Sequence, residues 1–264
     1  MSNTDKINPC NQINFLKGEI AKLSFKSKEG HVASAYSIMD LIWVLLKDVL
    51  KVDFDHRSLE RFVLSKGHAS LALYAMLLDT KIISYPEFQS FCEYDSKLGG
   101  HPDSSKLPHV SASTGSLGHG LAMSVGMAMA SKIQKNDNRI YCLLGDGECN
   151  EGSVWEAVLL AVEHKLNNLY CIVDLNHSGD RAIHLGQLNE KFESFGCEVV
   201  VIDGHDHSQI LHAYQSHHNT KPFVVIAETI KGKGVGIMEN APAWHHRSPS
   251  EDELVLILGD LSLS

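Results

Sequence analysis

Two short motifs in this chain carry residue types that can hold a cation on a phosphorylated ligand. Leu143-Leu144-Gly145-Asp146-Gly147-Glu148 places a carboxylate between two glycines, and Asp174-Leu175-Asn176 places an amide 30 residues further on, from Asp146 to Asn176. A carboxylate and a neutral oxygen suit a small hard cation, because Mg²⁺ takes oxygen ligands in near-octahedral array and binds through one or two protein groups plus phosphate oxygens. Gly145 and Gly147 let the backbone turn sharply and approach a phosphate closely. Gly-Asp-Gly is also a common turn sequence, so the weight rests on its pairing with Asn176.

The flanks explain how the two motifs would meet. Arg139 to Leu144 and Asn168 to Val173 are short, nearly continuous apolar runs, as expected of strands buried on both faces of a parallel sheet. Between them Val154, Ala157, Val158, Ala161 and Val162 recur at helical spacing, so the segment reads as strand, helix, strand. In open sheets of this kind ligands bind outside the carboxyl ends of the strands, where both motifs fall. Further strands are expected at Arg61 to Ser65, Glu198 to Ile202 and Phe223 to Ala227. Helices are expected near Ile13 to Phe25, Ser37 to Val49, Ala69 to Leu78, Leu121 to Ile133, Gly152 to Glu163, Ser208 to Ser216 and Glu251 to Leu258. The alternation predicts an α/β fold with one doubly wound, mainly parallel sheet and helices on both faces.

At 264 residues with 44% hydrophobic content the chain can bury a full core, and without a linker or low-complexity tract it reads as one domain over residues 1–264. A formal net charge of -9 with no Lys or Arg cluster argues against nucleic acid or an anionic membrane as partner. An anionic ligand must then be held locally, by metal, backbone N–H groups and histidine. Cys10, Cys92, Cys142, Cys149, Cys171 and Cys197 lie scattered without a Cys-x-x-Cys pair and read as reduced packing residues. The polar start Met1 to Lys6 has no apolar signal region, and the Leu41 to Leu46 run is too short to span a bilayer, so a cytoplasmic protein is expected.

Four further segments carry chemistry-bearing residues. Ser113-Thr114-Gly115-Ser116-Leu117-Gly118-His119-Gly120 runs into a helix of small residues, where free backbone N–H groups can face a ligand. Its glycines do not follow the dinucleotide order G-x-G-x-x-G, and in isolation it reads equally well as a helix-packing loop. The others are histidines beside glycine: Gly30-His31, Gly67-His68 and Gly99-Gly100-His101. Histidine titrates near neutrality and suits proton transfer to sugar hydroxyls or a hydrogen bond to phosphate.

With these residues in view, the chain resembles transketolase, specifically the N-terminal half found as a separate subunit in many prokaryotes. The resemblance rests on Leu64-Ser65-Lys66-Gly67-His68-Ala69-Ser70, Gly100-His101-Pro102, Thr114-Gly115-Ser116-Leu117-Gly118, Gly145-Asp146-Gly147-Glu148 and Glu151-Gly152-Ser153-Val154-Trp155-Glu156-Ala157. It continues through Val173-Asp174-Leu175-Asn176, Asp203-Gly204-His205-Asp206 and Lys231-Gly232-Lys233-Gly234-Val235. These motifs run in family order over nearly the whole chain.

The resemblance implies the diphosphate-binding domain of the thiamine diphosphate-binding fold. By position, Asp146, Asn176 and the main-chain carbonyl of Ser178 would hold a divalent metal, Mg²⁺ or in its place Ca²⁺ or Mn²⁺, on thiamine diphosphate. Gly147 and His68 would contact the diphosphate, and Gly115 and Leu117 would line the aminopyrimidine and thiazolium rings. His31 and His101 would face a sugar or sugar phosphate substrate, with His245 of Trp244-His245-His246 as a further acid/base or phosphate contact, which makes His31, His68, His101 and His245 the expected catalytic set. Glu151 resembles the acidic residue that couples paired active sites across the family's dimer interface.

The resemblance also implies a partner. Transketolases take the glutamate that meets the aminopyrimidine ring from a second, pyrimidine-binding domain, followed by a third, and the chain ends at Ser264 after a final expected helix. The expectation is therefore a separately encoded C-terminal chain in an α₂β₂ heterotetramer, and transfer of a two-carbon ketol unit from a ketose to an aldose only when both chains are present. Departures from the family pattern are His119 where glutamine is usual, Val32-Ala33 after the first histidine, and the loop His177-Ser178-Gly179-Asp180; His245 and His246 compete for one position. Two other classes share part of the pattern. One is another thiamine diphosphate enzyme, such as a 2-oxo acid dehydrogenase E1 component or a deoxyxylulose phosphate synthase; the other is a non-catalytic, partner-binding subunit.

Overall fold

The computed structural model describes residues 8–50, 60–136, 138–181, 183–216 and 220–263; the polar start Met1 to Lys6 lies outside them. Five strands, β1 (Arg61–Leu64), β2 (Ile140–Gly145), β3 (Leu169–Leu175), β4 (Glu198–Asp203) and β5 (Phe223–Glu228), form one sheet in the order β1-β2-β3-β5-β4. Every neighbouring pair is parallel. After β3 the chain passes to the edge as β4 and returns as β5 beside β3, so all carboxyl ends lie along one edge of the sheet.

The apolar runs are continuous because alternate residues enter different cores. Tyr141, Leu143, Tyr170, Ile172, Phe223 and Val225 pack on one face, while Ile140, Cys142, Leu144, Cys171, Val173, Val224 and Ile226 pack on the other. This is the period-two geometry of a strand covered twice. The first face is roofed by α1 (Pro9–Ser27), α2 (Val32–Ser37), α3 (Met39–Val44), α4 (Ser70–Asp79), α5 (Tyr85–Gln89), α9 (His207–Gln215) and α10 (Glu251–Asp260). The second is covered by α6 (His119–Ile133), α7 (Gly152–Glu163) and α8 (Leu188–Ser194).

Local chemistry fixes the helix starts. Asn8 caps α1 through a 3.0 Å bond from Cys10 N–H, with Pro9 in the first turn. Ser84 with Glu87 and Ser250 with Glu253 form capping boxes that open α5 and α10. Asp206 accepts from the N–H groups of Ser208 and Gln209 at the start of α9. The helix expected over Ser37 to Val49 is instead broken at Ile38 (φ -107°, ψ 1°), continues as α3 and ends in a π-helical turn, Leu45–Val49. The break accompanies a tertiary contact: Ser37 Oγ reaches a buried carboxylate, Asp174, at 2.9 Å.

Candidate active site

Register brings the two opening motifs together. Gly145 pairs with Asp174 across β2 and β3, and the N–H of Asp146 donates to the carbonyl of Asp174 at 3.1 Å. Asp146 is buried, and its carboxylate accepts from the backbone N–H groups of Gly147 (2.7 Å) and Gly179 (3.2 Å). Those two glycines must touch: a Cβ on Gly179 would lie 2.6 Å from the Cα of Gly147. Ser178 belongs to the same turn, and its N–H donates to Asn176 Oδ1 at 3.1 Å.

Beneath this turn Asp174 is fully buried and multiply bonded. It forms an ion pair with buried Lys66, and it accepts from Ser37, from Thr229 and from the amide of Asn176 (2.7 Å). The last bond sets the Asn176 side chain, because an amide that donates through Nδ2 to a carboxylate must turn Oδ1 to the other side. Glu148, also buried, faces the glycine-rich loop instead, accepting from the N–H of Gly118 at 2.8 Å and from Ser65 Oγ. Its bond to Gly118, whose φ is +83°, ties the loop before α6 to the Gly145-Asp146-Gly147 turn.

The glycine-adjacent histidines converge at the same edge. His31 precedes α2, His68 follows β1 in a 3₁₀ turn, and their ring centroids are 4.9 Å apart. His245 stands edge-on to His31 at 6.0 Å, and His246 stacks on it at 4.3 Å with an interplanar angle of 21°. The two competing histidines thus have different surroundings: His245 Nδ1 meets Lys231 Nζ at 3.0 Å, whereas His246 covers His31. His101 is exposed, with its ring against Gly115, where a Cβ would lie 3.4 Å away. Leu117 is half-buried in the same loop, and Glu151 is exposed at the N-cap of α7.

Electrostatics separates these groups by role. Burial lowers the His31 pKa to about 3, with His246, His245, His101 and Lys231 adding repulsion. Burial lowers that of His68 to about 2, helped by Lys66, His31, Lys231 and His245. His245 is also lowered, by burial and then Lys231. Near pH 7 these imidazoles are neutral and suit accepting a proton from a hydroxyl. Lys66 and Lys231 both bring positive charge to this side, and buried Lys231 holds its Nζ 3.0 Å from Ser178 Oγ. Lys231, Lys66 and Asp174 stand within the family-like motifs but received no role from the sequence; charged residues at strand ends were the available signal.

The donor set can be tested against a hard divalent cation on a diphosphate. Burial raises the pKa of Asp146, and no Lys or Arg pairs with it among the described residues, so an adjacent cation would stabilise its charged form. Among the described residues no group of three His, Cys, Asp or Glu side chains is arranged to hold a metal. A site here rests instead on one carboxylate, an amide oxygen and main-chain oxygens, a set that suits Mg²⁺ with phosphate ligands. The residues fit that group.

Comparison with known proteins identifies the family. Residues 11–259 match the family model described as transketolase, thiamine diphosphate binding domain. An apulose-4-phosphate transketolase subunit of Phocaeicola vulgatus is 36% identical over 244 residues, covering 89% of this chain and 86% of that protein. The subunit of the same name from Actinobacillus succinogenes is 39% identical over 241 residues, covering 88% and 87%. The crystal structure of Campylobacter jejuni transketolase superposes with a TM-score of 0.87 at 33% identity, covering 97% of this chain and 42% of that one. With an overall fold that superposes closely on a transketolase and a family model spanning nearly its whole length, this chain belongs to the transketolase family, as its thiamine diphosphate-binding domain.

Proposed function

We propose that this chain is the diphosphate-binding subunit of a two-chain transketolase, transferring a two-carbon ketol unit from a ketose donor to an aldose acceptor. The observation that carries the reading is the meeting of the Asp146–Asn176 turn with neutral His31 and His68 and cationic Lys231 at one edge of the sheet. Asp146, Asn176 and the Ser178 carbonyl would hold Mg²⁺, and Gly147 and His68 would meet the diphosphate. Gly115 and Leu117 would line the ring-bearing part of the cofactor. When bound, thiamine diphosphate supplies the nucleophilic carbon that accepts and releases the two-carbon unit. His31 and His101 would bind and orient the sugar, His31 as a neutral imidazole that can take a hydroxyl proton. His245, held by Lys231, would serve as a further acid/base or phosphate contact.

The names of the two bacterial relatives, each given as one subunit of a transketolase, support a separate partner chain. We propose an α₂β₂ assembly in which Glu151 contributes to the contact between paired sites, and a cytoplasmic location; no helix among the described residues is long and apolar enough to cross a membrane. Because the relatives carry that name, apulose 4-phosphate is the first sugar phosphate to test. The test is co-expression with a candidate C-terminal chain, followed by a two-carbon transfer assay over sugar phosphates, with pyruvate as control donor. Ketol transfer dependent on both chains, thiamine diphosphate and Mg²⁺ is expected. Turnover with pyruvate alone, or none under any condition, contradicts the proposal.

A further inference from the structure

The carboxyl end of β4 reaches the site too, and the roles above leave it unused. Gly204 N–H donates to the carbonyl of Glu228 at 2.8 Å, and a Cβ at Gly204 would fall 2.4 Å from the Thr229 methyl, so this turn lies directly against the segment after β5. His205 then accepts the N–H of Ile230 on Nε2 at 2.9 Å. A ring nitrogen that accepts a backbone N–H carries no hydrogen, so the hydrogen of a neutral ring sits on Nδ1. Nδ1 lies 2.9 Å from Asp40 Oδ2, and His207 Nε2 meets the other oxygen of Asp40 at 2.8 Å.

Ile230 sits between two residues that reach the site. Thr229 Oγ1 donates to Asp174, and Lys231 Nζ meets Ser178 Oγ and His245 Nδ1. Three residues past Ile230, buried Lys17 donates to the carbonyl of Lys233 at 2.9 Å, bracing the segment from α1. The Ile230 N–H is thus held by an imidazole whose tautomer a carboxylate fixes.

We propose that His205, oriented by Asp40, is a positioning residue for cofactor binding: through the Ile230 N–H it fixes the segment that presents Lys231 to the diphosphate-side turn and His245. The inference rests on the proposed function, since it assigns that turn to thiamine diphosphate. His205 touches neither cofactor nor substrate. Groups hydrogen-bonded directly to a metal ligand typically alter metal affinity about 10- to 100-fold when removed, and His205 acts one residue further out, through Ile230.

The test uses the full chain together with its partner chain, with the midpoint of thermal melting followed against thiamine diphosphate concentration at fixed Mg²⁺. His205→Ala is expected to weaken cofactor binding about tenfold. His205→Gln, whose amide can both accept from Ile230 and donate to Asp40, should restore most of it. Equal affinity for His205→Ala and wild type overturns the proposal, as does a His205→Gln variant no better than His205→Ala. A bracket that merely stabilised the fold would lower the ligand-free midpoint without changing the affinity. Should His205→Ala fail to fold, the imidazole nitrogen spectrum of the wild type decides: hydrogen on Nδ1 with bare Nε2 is expected, and the reverse tautomer contradicts the assignment. Wild-type protein that ignores the cofactor would overturn the proposed function instead, leaving the nitrogen spectrum to judge the His205–Ile230 bond separately.

Discussion

The two ends of the sheet are built from opposite materials. At the amino end, Tyr141 packs on Tyr170 at 4.9 Å and on Tyr214 at 6.0 Å, and Tyr170 meets Phe223 at 5.7 Å. Two of the hydroxyls are satisfied locally, Tyr141 OH donating to the Tyr214 carbonyl at 3.3 Å and Tyr170 OH to the Ser216 carbonyl at 2.6 Å, whereas the Tyr214 OH is buried without a partner among the described residues. At the carboxyl end, the buried side chains include Asp146, Glu148, Asp174, Lys66 and Lys231. Aromatic burial stabilises a fold, whereas buried charges carry a desolvation penalty that their pairing seldom exceeds. One end therefore serves stability, and the other spends some of it to hold oxygen and nitrogen atoms in a set arrangement.

The first way to break this contrast is at Asp146. With ligand at a hundredfold excess over Kd, a native-state ligand adds about 2.7 kcal/mol of stability. Asp146→Ala should lose all of that increment with Mg²⁺ and thiamine diphosphate, measured as the shift in melting midpoint with the partner present, and should abolish turnover. An unchanged shift removes the metal assignment. Next is Lys66→Met, which strands Asp174 as an uncompensated buried carboxylate and should cost about 3–5 kcal/mol by urea unfolding. Tyr170→Phe, at the other end, should cost about 1 kcal/mol and leave cofactor affinity unchanged. If the two substitutions were equally costly, the contrast between the ends would fail.

Acid sensitivity sharpens the contrast. Unfolded histidine takes up a proton near about 6.5, while burial holds His31 to about 3 and His68 to about 2. Between those values the unfolded chain binds more protons, so this contribution to stability is complete above about pH 6.5 and is lost as pH falls toward 3. His31→Ala should flatten the stability profile between pH 7.5 and 5, measured by urea midpoints, and should reduce turnover far more than cofactor affinity. A profile unchanged by the substitution would show that His31 is not held neutral. The smallest expected effect is at Lys26–Glu93, a 2.6 Å pair with both side chains about half exposed. Lys26→Ala should change stability by less than about 1 kcal/mol.

Much of this was legible in the sequence because periodicity and turn chemistry are local. The runs expected at Arg139 to Leu144 and Asn168 to Val173 appear as Ile140–Gly145 and Leu169–Leu175, and the strands at residues 61, 198 and 223 begin where expected. Glycine beside histidine was the local signal for the ring contact of His31 with His68, whereas His245, which joins them, was given by the resemblance alone. Helix α5 escaped notice although Ser84, Pro86 and Glu87 spell a helix start, and α8, seven residues long, is too short for a periodic signal. The break at Ile38, the Lys66–Asp174 pair and the His205–Ile230 bond depend on contacts between distant segments, which no local pattern reports. The stacking of His246 on His31 belongs to the same class.

The most direct test of the central claim is anomalous diffraction from crystals of the chain with its partner, grown with Mn²⁺ in place of Mg²⁺ and soaked with thiamine diphosphate. A manganese peak bounded by Asp146, Asn176 and the Ser178 carbonyl, with the diphosphate against it, is the predicted result. A peak elsewhere, or a diphosphate seated away from the Gly145-Asp146-Gly147 turn, would contradict the account.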